Sequence, residues 1–424
     1  MRILVVGGGG REHAIIKSLK KSPKAEKIYA LPGNGGIAAD AECHPIKATD
    51  LDGIVTFAKT HLVDFAVVAP DDPLVLGAVD RLEEIGIPCF GPSKAAAIIE
   101  GSKVFSKNLM KKYGIPTAAS ETFSTAEEAI SYLKNSDYPT VIKADGLALG
   151  KGVVIAKTFE EAENAVKEIM CDKIFGASGN EILIEEFLEG PEISVLAFTD
   201  GKVVVPMVSS MDHKRAKDND EGLNTGGMGT IAPNPYYTES VKKECMEKIF
   251  LPSVSAMNAE NRTFKGCLYF GLMLTKNGPK VIEYNCRFGD PETQVVLPLL
   301  QSDLLEIMIK TSKGELKEED VRFSDGAACC VVLASDGYPK SYQSGFEIEL
   351  PQTQENEHIF VAGAKKEDGA LNTAGGRVLG AVATAKTLKE AVDGAYRLAK
   401  KIHFENAYMR SDIGKRALAA IQEK

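Results

Sequence analysis

The chain begins Met1-Arg2-Ile3-Leu4-Val5-Val6-Gly7-Gly8-Gly9-Gly10-Arg11-Glu12-His13, and this run decides the fold class of its N-terminal part. An apolar, β-branched stretch, a glycine cluster and an amphipathic stretch read as strand, tight turn and helix. Residues 2–6 are a buried strand and 12–20 a helix. Further strands follow at 27–30, 65–69 and 87–90, the last closed by Gly91-Pro92. Strand, glycine-bearing turn and helix in repetition predict a parallel, doubly wound sheet. A dinucleotide fingerprint would place its third glycine at 12 or 13, where Glu12 and His13 stand, and no acid follows the second strand. A nicotinamide site is therefore disfavoured. Amides at the start of a helix suit a single phosphate. A turn that merely packs is an equal alternative, and His13 reads equally well as structural.

Beyond a boundary near residues 100–101, a helix is expected at 103–113, stopped by Gly114 and Pro116. A small α+β unit follows, with strands at 140–143 and 153–156 and a helix at 160–170. Residues 182–184 open a larger region of strands and loops that runs to about 320. From Gly326 a β-rich piece is expected, with strands at 327–334 and 358–364 and a helix at 388–402. At 424 residues, 44% hydrophobic and 26% charged, the chain is globular and long enough for several subdomains. No apolar run approaches the roughly 20 residues that span a bilayer. The net charge of −9 argues against a nucleic-acid surface. Eight cysteines without CxxC spacing fit a reducing cytoplasm.

The sharpest chemistry lies in Val281-Ile282-Glu283-Tyr284-Asn285-Cys286-Arg287. On a strand, Glu283, Asn285 and Arg287 share one face, while Ile282, Tyr284 and Cys286 turn to the core. A carboxylate, an amide oxygen and a guanidinium side by side suit Mg²⁺ and phosphate oxygens. A solvated face with surface ion pairs is the competing reading. The next loop, Phe288-Gly289-Asp290-Pro291-Glu292-Thr293-Gln294, adds polar groups beside that face.

A second signal is Thr140-Val141-Ile142-Lys143-Ala144-Asp145-Gly146, continuing to Gly150-Lys151-Gly152. Its glycines let backbone approach a polyphosphate and let a loop close over it. It is not a Walker A loop, since three residues rather than four precede the Gly-Lys pair. A β-hairpin with surface lysines is the alternative. Asp212-His213-Lys214-Arg215 through Asn224-Thr225-Gly226-Gly227-Met228-Gly229 reads as a functional or a mobile surface loop. Ile184-Glu185-Glu186-Phe187-Leu188, continuing to Glu192, reads as a strand leaving through a hinge, or as an acidic surface strand.

In this order, Lys103, Lys143 with its glycine loop, the hinge at 185–188 and Glu283-x-Asn285-x-Arg287 resemble the ATP-grasp superfamily. Within it, Ala144-Asp-Gly-Leu-Ala-Leu-Gly-Lys-Gly-Val, Asp212-His-Lys-Arg, Asn224-Thr-Gly-Gly-Met-Gly, Arg287-Phe-Gly-Asp-Pro-Glu-Thr-Gln and Gly375-Gly-Arg377-Val-Leu-Gly380 resemble the phosphoribosylamine–glycine ligase family, as does the opening Gly-rich run. The resemblance implies a multidomain α/β and α+β protein. Its parts would be an N-terminal parallel-sheet domain at 1–101, an ATP-grasp domain at 102–322 with a lid at about 123–183, and a C-terminal β-rich domain at 323–424. It implies a cytoplasmic monomer that joins glycine to 5-phosphoribosylamine through glycyl phosphate at the expense of ATP, in purine biosynthesis.

By the same resemblance, Lys103, Lys143 and Lys151 meet the ATP phosphates, with Glu185, Glu186, Phe187 and Leu188 at the adenine and Glu192 at the ribose. Glu283 and Asn285 hold Mg²⁺ or Mn²⁺, and Arg287 stabilises the moving phosphoryl group beside Lys143. Asp212, Lys214, Gly226, Gly227, Asp290 and Glu292 line the glycine and amine pocket, and Gly8, Gly9 and Gly10 take the sugar phosphate. Two departures stand out. Tyr269-Phe-Gly-Leu-Met-Leu carries no acid where many ATP-grasp enzymes have a second metal ligand, and Asp71 stands where the family usually has glutamate.

Overall fold

The computed structural model describes residues 1–147 and 152–422. Its first strand, Arg2–Gly7, is flanked by Lys27–Pro32 and Phe65–Val68, and Glu42–Cys43 and Cys89–Phe90 complete a five-stranded sheet, parallel throughout. Leu4, Val6, Ala66 and Val68 face one core, and Ile3, Val5, Phe65 and Val67 the other. Both faces are covered, as the continuous apolar runs require. The helix Gly10–Leu19 follows the glycine turn as expected. Helices Leu51–Thr60, Asp71–Leu76, Ala78–Glu83 and Lys94–Gly101, and the strand Glu42–Cys43, are additions to the expected pattern. Most of these elements are too short to show a clear period in the sequence.

The helix Lys103–Tyr113 is capped by the Ser102 hydroxyl, which accepts from Phe105 N at 3.0 Å, and it ends at Gly114 with φ +67°. The smaller α+β unit is an antiparallel sheet ordered Ser120–Phe123, Ile182–Glu186, Thr140–Ala144, Val153–Ala156. Helices Ala126–Leu133 and Phe159–Val166 cover one face, around Ile142, Val166 and Ile184. The second helix passes into a π turn at Lys167–Cys171.

Facing this unit is a second antiparallel sheet, with Val204–Pro206, Glu192–Thr199, Gly266–Thr275 and Gly278–Asn285 in that order. Thr117 joins the two units, donating its hydroxyl to the Val281 carbonyl at 2.7 Å. The strand Gly229–Ala232 does not stay with this sheet. It pairs with Ala327–Ser335, inside a sheet that also holds Met211–Asp212, Arg377–Ala385, Glu357–Val361 and Ala407–Tyr408. The expected strand at 358–364 is two pieces, Glu357–Val361 and Ala364–Glu367, and the helix is Leu388–Ala399. No described helix is long and apolar enough to cross a membrane.

His13 joins the first and last parts of the chain. Its Nδ1 accepts from Val361 N at 2.8 Å, and its Nε2 lies 3.0 Å from Asp40. The imidazole is buried, and burial lowers its pKa despite Asp40. Of the two readings open for His13, this geometry is the structural one.

Candidate active site

A cavity of about 940 Å³ runs between the two antiparallel sheets to the edges of the N-terminal and C-terminal sheets. Its size falls at the upper end of the range for small-molecule sites. Nearly all the polar groups singled out in the sequence line it.

Glu283 and Asn285 project into the cavity from the last strand of the second sheet, as period two predicts. Tyr284 and Cys286 are buried, as expected. Ile282 departs from the expectation. It is half-buried and lines the cavity, because the register with Gly266–Thr275 skips between Leu272↔Val281 and Gly271↔Glu283. The extra residue is a β-bulge, which breaks strict alternation and re-aims the strand at the site. The displaced Ile282 carbonyl then accepts from Lys143 Nζ at 3.1 Å.

Burial pushes the Glu283 carboxyl up, but Lys214, Lys143, Lys103 and Arg287 outweigh it and hold the group below its ordinary value. Lys214 Nζ lies 3.5 Å from Glu283 and 3.3 Å from Glu192, so one ammonium spans two of the expected ligand groups. Asn285 donates to the Tyr284 carbonyl at 2.7 Å, and its oxygen accepts from Arg287 Nη1 at 3.3 Å. An ionised carboxylate and an amide oxygen suit a hard divalent cation. Among the described residues, no three His, Cys, Asp or Glu side chains converge on one metal position.

The lysines come from two directions. Lys103 Nζ donates to the Gly146 carbonyl at 2.6 Å, and burial lowers its pKa against the pull of Glu283. Asp145 fixes this approach by accepting from Val104 N and the Ser102 hydroxyl, both at 3.1 Å, at the helix start. Lys143 pairs with Glu185 at 3.0 Å. Lys107, absent from the sequence reading, pairs with the same carboxylate at 3.4 Å and donates to Thr117 Oγ1 at 2.6 Å. Burial pulls its pKa down to about 8. The Glu185 side chain therefore braces two lysines, while its carbonyl accepts from Thr140 Oγ1 at 3.0 Å within the sheet. Glu186 is tied through N to Ala119 and through its carboxylate to Lys280. Phe187 and Leu188 line the cavity beyond it. Lys151 lies outside the described residues.

Arg287 is clamped on its far side. Its Nη2 lies 2.8 Å from Glu100 and 3.9 Å from Asp71. Glu100 is buried, and its other oxygen accepts from Cys286 N at 2.7 Å. Burial raises the Glu100 carboxyl although Arg287 opposes it. Arg287 and Arg11 hold Asp71 below its ordinary value against burial. Asp71, which carried no sequence assignment, thus faces the site through Arg287.

At the other end stand Asp212, Gly226, Asp290, Glu292 and Arg377. Burial, with Glu292 next, drives the Asp212 carboxyl well above its ordinary value, and burial also raises Glu292. Gly227 has φ +115°, and a Cβ there would meet Pro291 Cδ at 2.5 Å and Asp212 Oδ1 at 2.6 Å. Arg377 Nη1 donates to the carbonyls of Gly226 at 2.7 Å and Asp290 at 2.8 Å, tying the two loops together. The sequence signal for Arg377 was its glycine motif alone. Gly8, Gly9 and Gly10 are not among the cavity walls, although Arg11 is. Gly9 N donates to Glu12 at 2.6 Å and Arg11 N to Asp290 at 3.4 Å, so two amides of the expected phosphate turn already serve carboxylates.

Two antiparallel sheets that grip one cavity, with lysines from the first opposite an acid–amide–guanidinium strand of the second, define the ATP-grasp class of enzymes. Family models described as phosphoribosylglycinamide synthetase N domain, ATP-grasp (A) domain and C domain match residues 1–100, 101–293 and 328–416. The chain belongs to the phosphoribosylglycinamide synthetase family. It is 49% identical over 413 residues to the phosphoribosylamine–glycine ligase of Caldanaerobacter subterraneus subsp. tengcongensis, covering 97% of this chain and 99% of that one. The crystal structure of phosphoribosylamine–glycine ligase from Thermotoga maritima superposes with a TM-score of 0.86 at 36% identity, covering 97% of this chain and 100% of that one. A biotin carboxylase from Campylobacter jejuni, in a beta-gamma-ATP complex, shares the fold with a TM-score of 0.76 at 16% identity, covering 100% of this chain and 95% of that one.

Proposed function

We propose that this protein ligates glycine to 5-phosphoribosylamine with ATP, giving glycinamide ribonucleotide, ADP and phosphate in purine biosynthesis. The observation that carries the reading is full-length similarity to phosphoribosylamine–glycine ligases combined with one continuous cavity, lysine-rich at one end and acid-rich at the other.

A carboxylate is a poor electrophile because oxide is a poor leaving group, so glycine is first activated. Its carboxylate oxygen attacks the γ-phosphorus of ATP in line, ADP departs, and glycyl phosphate forms. The amine nitrogen of phosphoribosylamine then attacks the acyl carbon, loses a proton and expels phosphate. Lys103 and Lys143 hold the phosphates, and the hinge at 186–188 holds the adenine, with Glu192 at the ribose. Lys151 joins the phosphate contacts by family resemblance. Arg287, aimed by Glu100, offsets charge on the phosphoryl group in transit. Glu283 and Asn285 are the chain's own ligands for Mg²⁺ or Mn²⁺, which when bound neutralises phosphate charge.

Asp212, Lys214, Gly226, Gly227, Asp290 and Glu292 form the glycine and amine end. The 5′-phosphate is assigned to the N-terminal edge beside residues 8–10, where Arg11 lines the cavity. The decisive test follows ADP release in the presence of glycine and phosphoribosylamine made in situ from ribose 5-phosphate and ammonia. Turnover that requires both is expected. Equal turnover with bicarbonate or another carboxylate in place of glycine would defeat the assignment.

A further inference from the structure

Arg410-Ser411-Asp412-Ile413-Gly414, in the last part of the chain, has no place in the sequence reading or in the reaction above. It nevertheless grips the loop that carries Asp212 and Lys214. Tyr408 donates its hydroxyl to the Ala216 carbonyl at 2.9 Å. Arg410, 1% exposed, donates Nη1 to the Arg215 carbonyl and to Asp220, both at 3.0 Å. Its Nε and Nη2 are locked on Asp412 at 2.8 and 2.9 Å. Asp412 then accepts from Asn219 N at 2.8 Å, and Asp218 accepts from Ser411 N at 2.8 Å and from its hydroxyl. Gly414 N donates to His213 Nε2 at 3.2 Å, while His213 Nδ1 meets the Gly229 carbonyl at 3.2 Å.

Six of the eight residues from 213 to 220, all but Lys214 and Lys217, are therefore held by a group from 408–414. Asn219 and Asp220 adopt positive φ, +59° and +56°, within this grip. Non-glycine residues keep that conformation only where surroundings over-determine it. Asp212 precedes the buried His213 and accepts from its N–H at 2.7 Å, so its position in the cavity follows from where the imidazole is pinned.

We infer that residues 408–414 are a positioning clamp for the reaction, through which the C-terminal sheet sets Asp212, next to the pinned His213, against glycine. This rests on the reading of Asp212 as a glycine-side group. The clamp touches no reacting atom. It acts by pre-organising a loop that would otherwise pay an ordering cost each time glycine binds.

The test compares Tyr408→Phe, Arg410→Ala and Asp212→Asn in the full-length enzyme, with KM for glycine, KM for ATP, kcat and thermal unfolding measured together. Arg410→Ala should raise KM for glycine about tenfold or more and Tyr408→Phe about two- to fivefold, with KM for ATP within about twofold and kcat largely recovered at saturating glycine. Tyr408→Phe removes a single hydroxyl and carries the test should Arg410→Ala fail to fold. A glycine KM unmoved in Tyr408→Phe and Arg410→Ala, beside a raised KM in Asp212→Asn, overturns the clamp and leaves the functional reading standing. Parallel rises in both KM values in Tyr408→Phe also overturn it, because they indicate general loosening. An unmoved glycine KM in Asp212→Asn overturns the pocket assignment and the clamp with it.

Discussion

Arg287 Nη2 lies 2.8 Å from Glu100 Oε1, and Glu100 Oε2 in turn accepts from the N–H of Cys286, the residue just before Arg287. One buried carboxylate therefore fixes both the strand that carries the guanidinium and the guanidinium itself. On the role proposed for Arg287, such a brace would hold its charge where the phosphoryl group passes and avoid reorganisation during the reaction.

Glu100→Gln should accordingly lower kcat by about 10- to 100-fold, or 1.4–2.7 kcal/mol in the barrier, with a smaller change in KM for ATP. Steady-state ADP release measures both. Equal losses in nucleotide affinity and turnover would count against a role centred on Arg287.

Glu283→Ala should abolish ADP formation, a loss on the order of 10³-fold or more, while leaving the chain folded. Titration of Mg²⁺ or Mn²⁺ against the Asn285→Ala protein should show a raised metal requirement. Unchanged turnover in Glu283→Ala would sink the metal assignment.

Gly227→Ala forces a Cβ to within 2.6 Å of both Pro291 and Asp212 at φ +115°. The strain should cost about 1–3 kcal/mol of stability. Displacement of Asp212 should raise KM for glycine by about tenfold or more, with less effect on ATP. Denaturant unfolding and glycine-dependent kinetics separate the two effects.

His213 gives a prediction with a defined pH window. Burial, with Arg410 next, lowers its pKa from 6.5 to about 4. The folded chain therefore refuses a proton that the unfolded chain accepts between those values. Stability is unaffected by this group above pH 6.5, falls as pH drops from 6.5 towards 4, and by then has lost about 3 kcal/mol. His213→Asn removes the titration, so its stability deficit relative to the native chain should shrink across that window. Urea unfolding at pH 7 and pH 4.5 measures the deficit, and a constant value would refute a neutral buried imidazole.

The sequence by itself determined the local alternation and its chemistry. Apolar runs broken by glycine turns specified the parallel N-terminal sheet, because both faces of such a sheet are covered. Period two placed Glu283 and Asn285 on one face, because successive side chains on a strand point opposite ways. The order of the motifs carried the family.

Tertiary structure alone decided what those groups touch. The Leu272–Val281 register shift put Ile282 in the cavity wall, since a bulge depends on the partner strand. Glu100 reaches Arg287 across 187 residues, and Gly414 reaches His213 across 201. Lys107 was silent in the sequence because a lysine in the middle of a helix looks like any solvated one until Glu185 is brought beneath it. Periodicity constrains neighbours along the chain, whereas these pairings arise only when separate sheets and loops pack around one cavity.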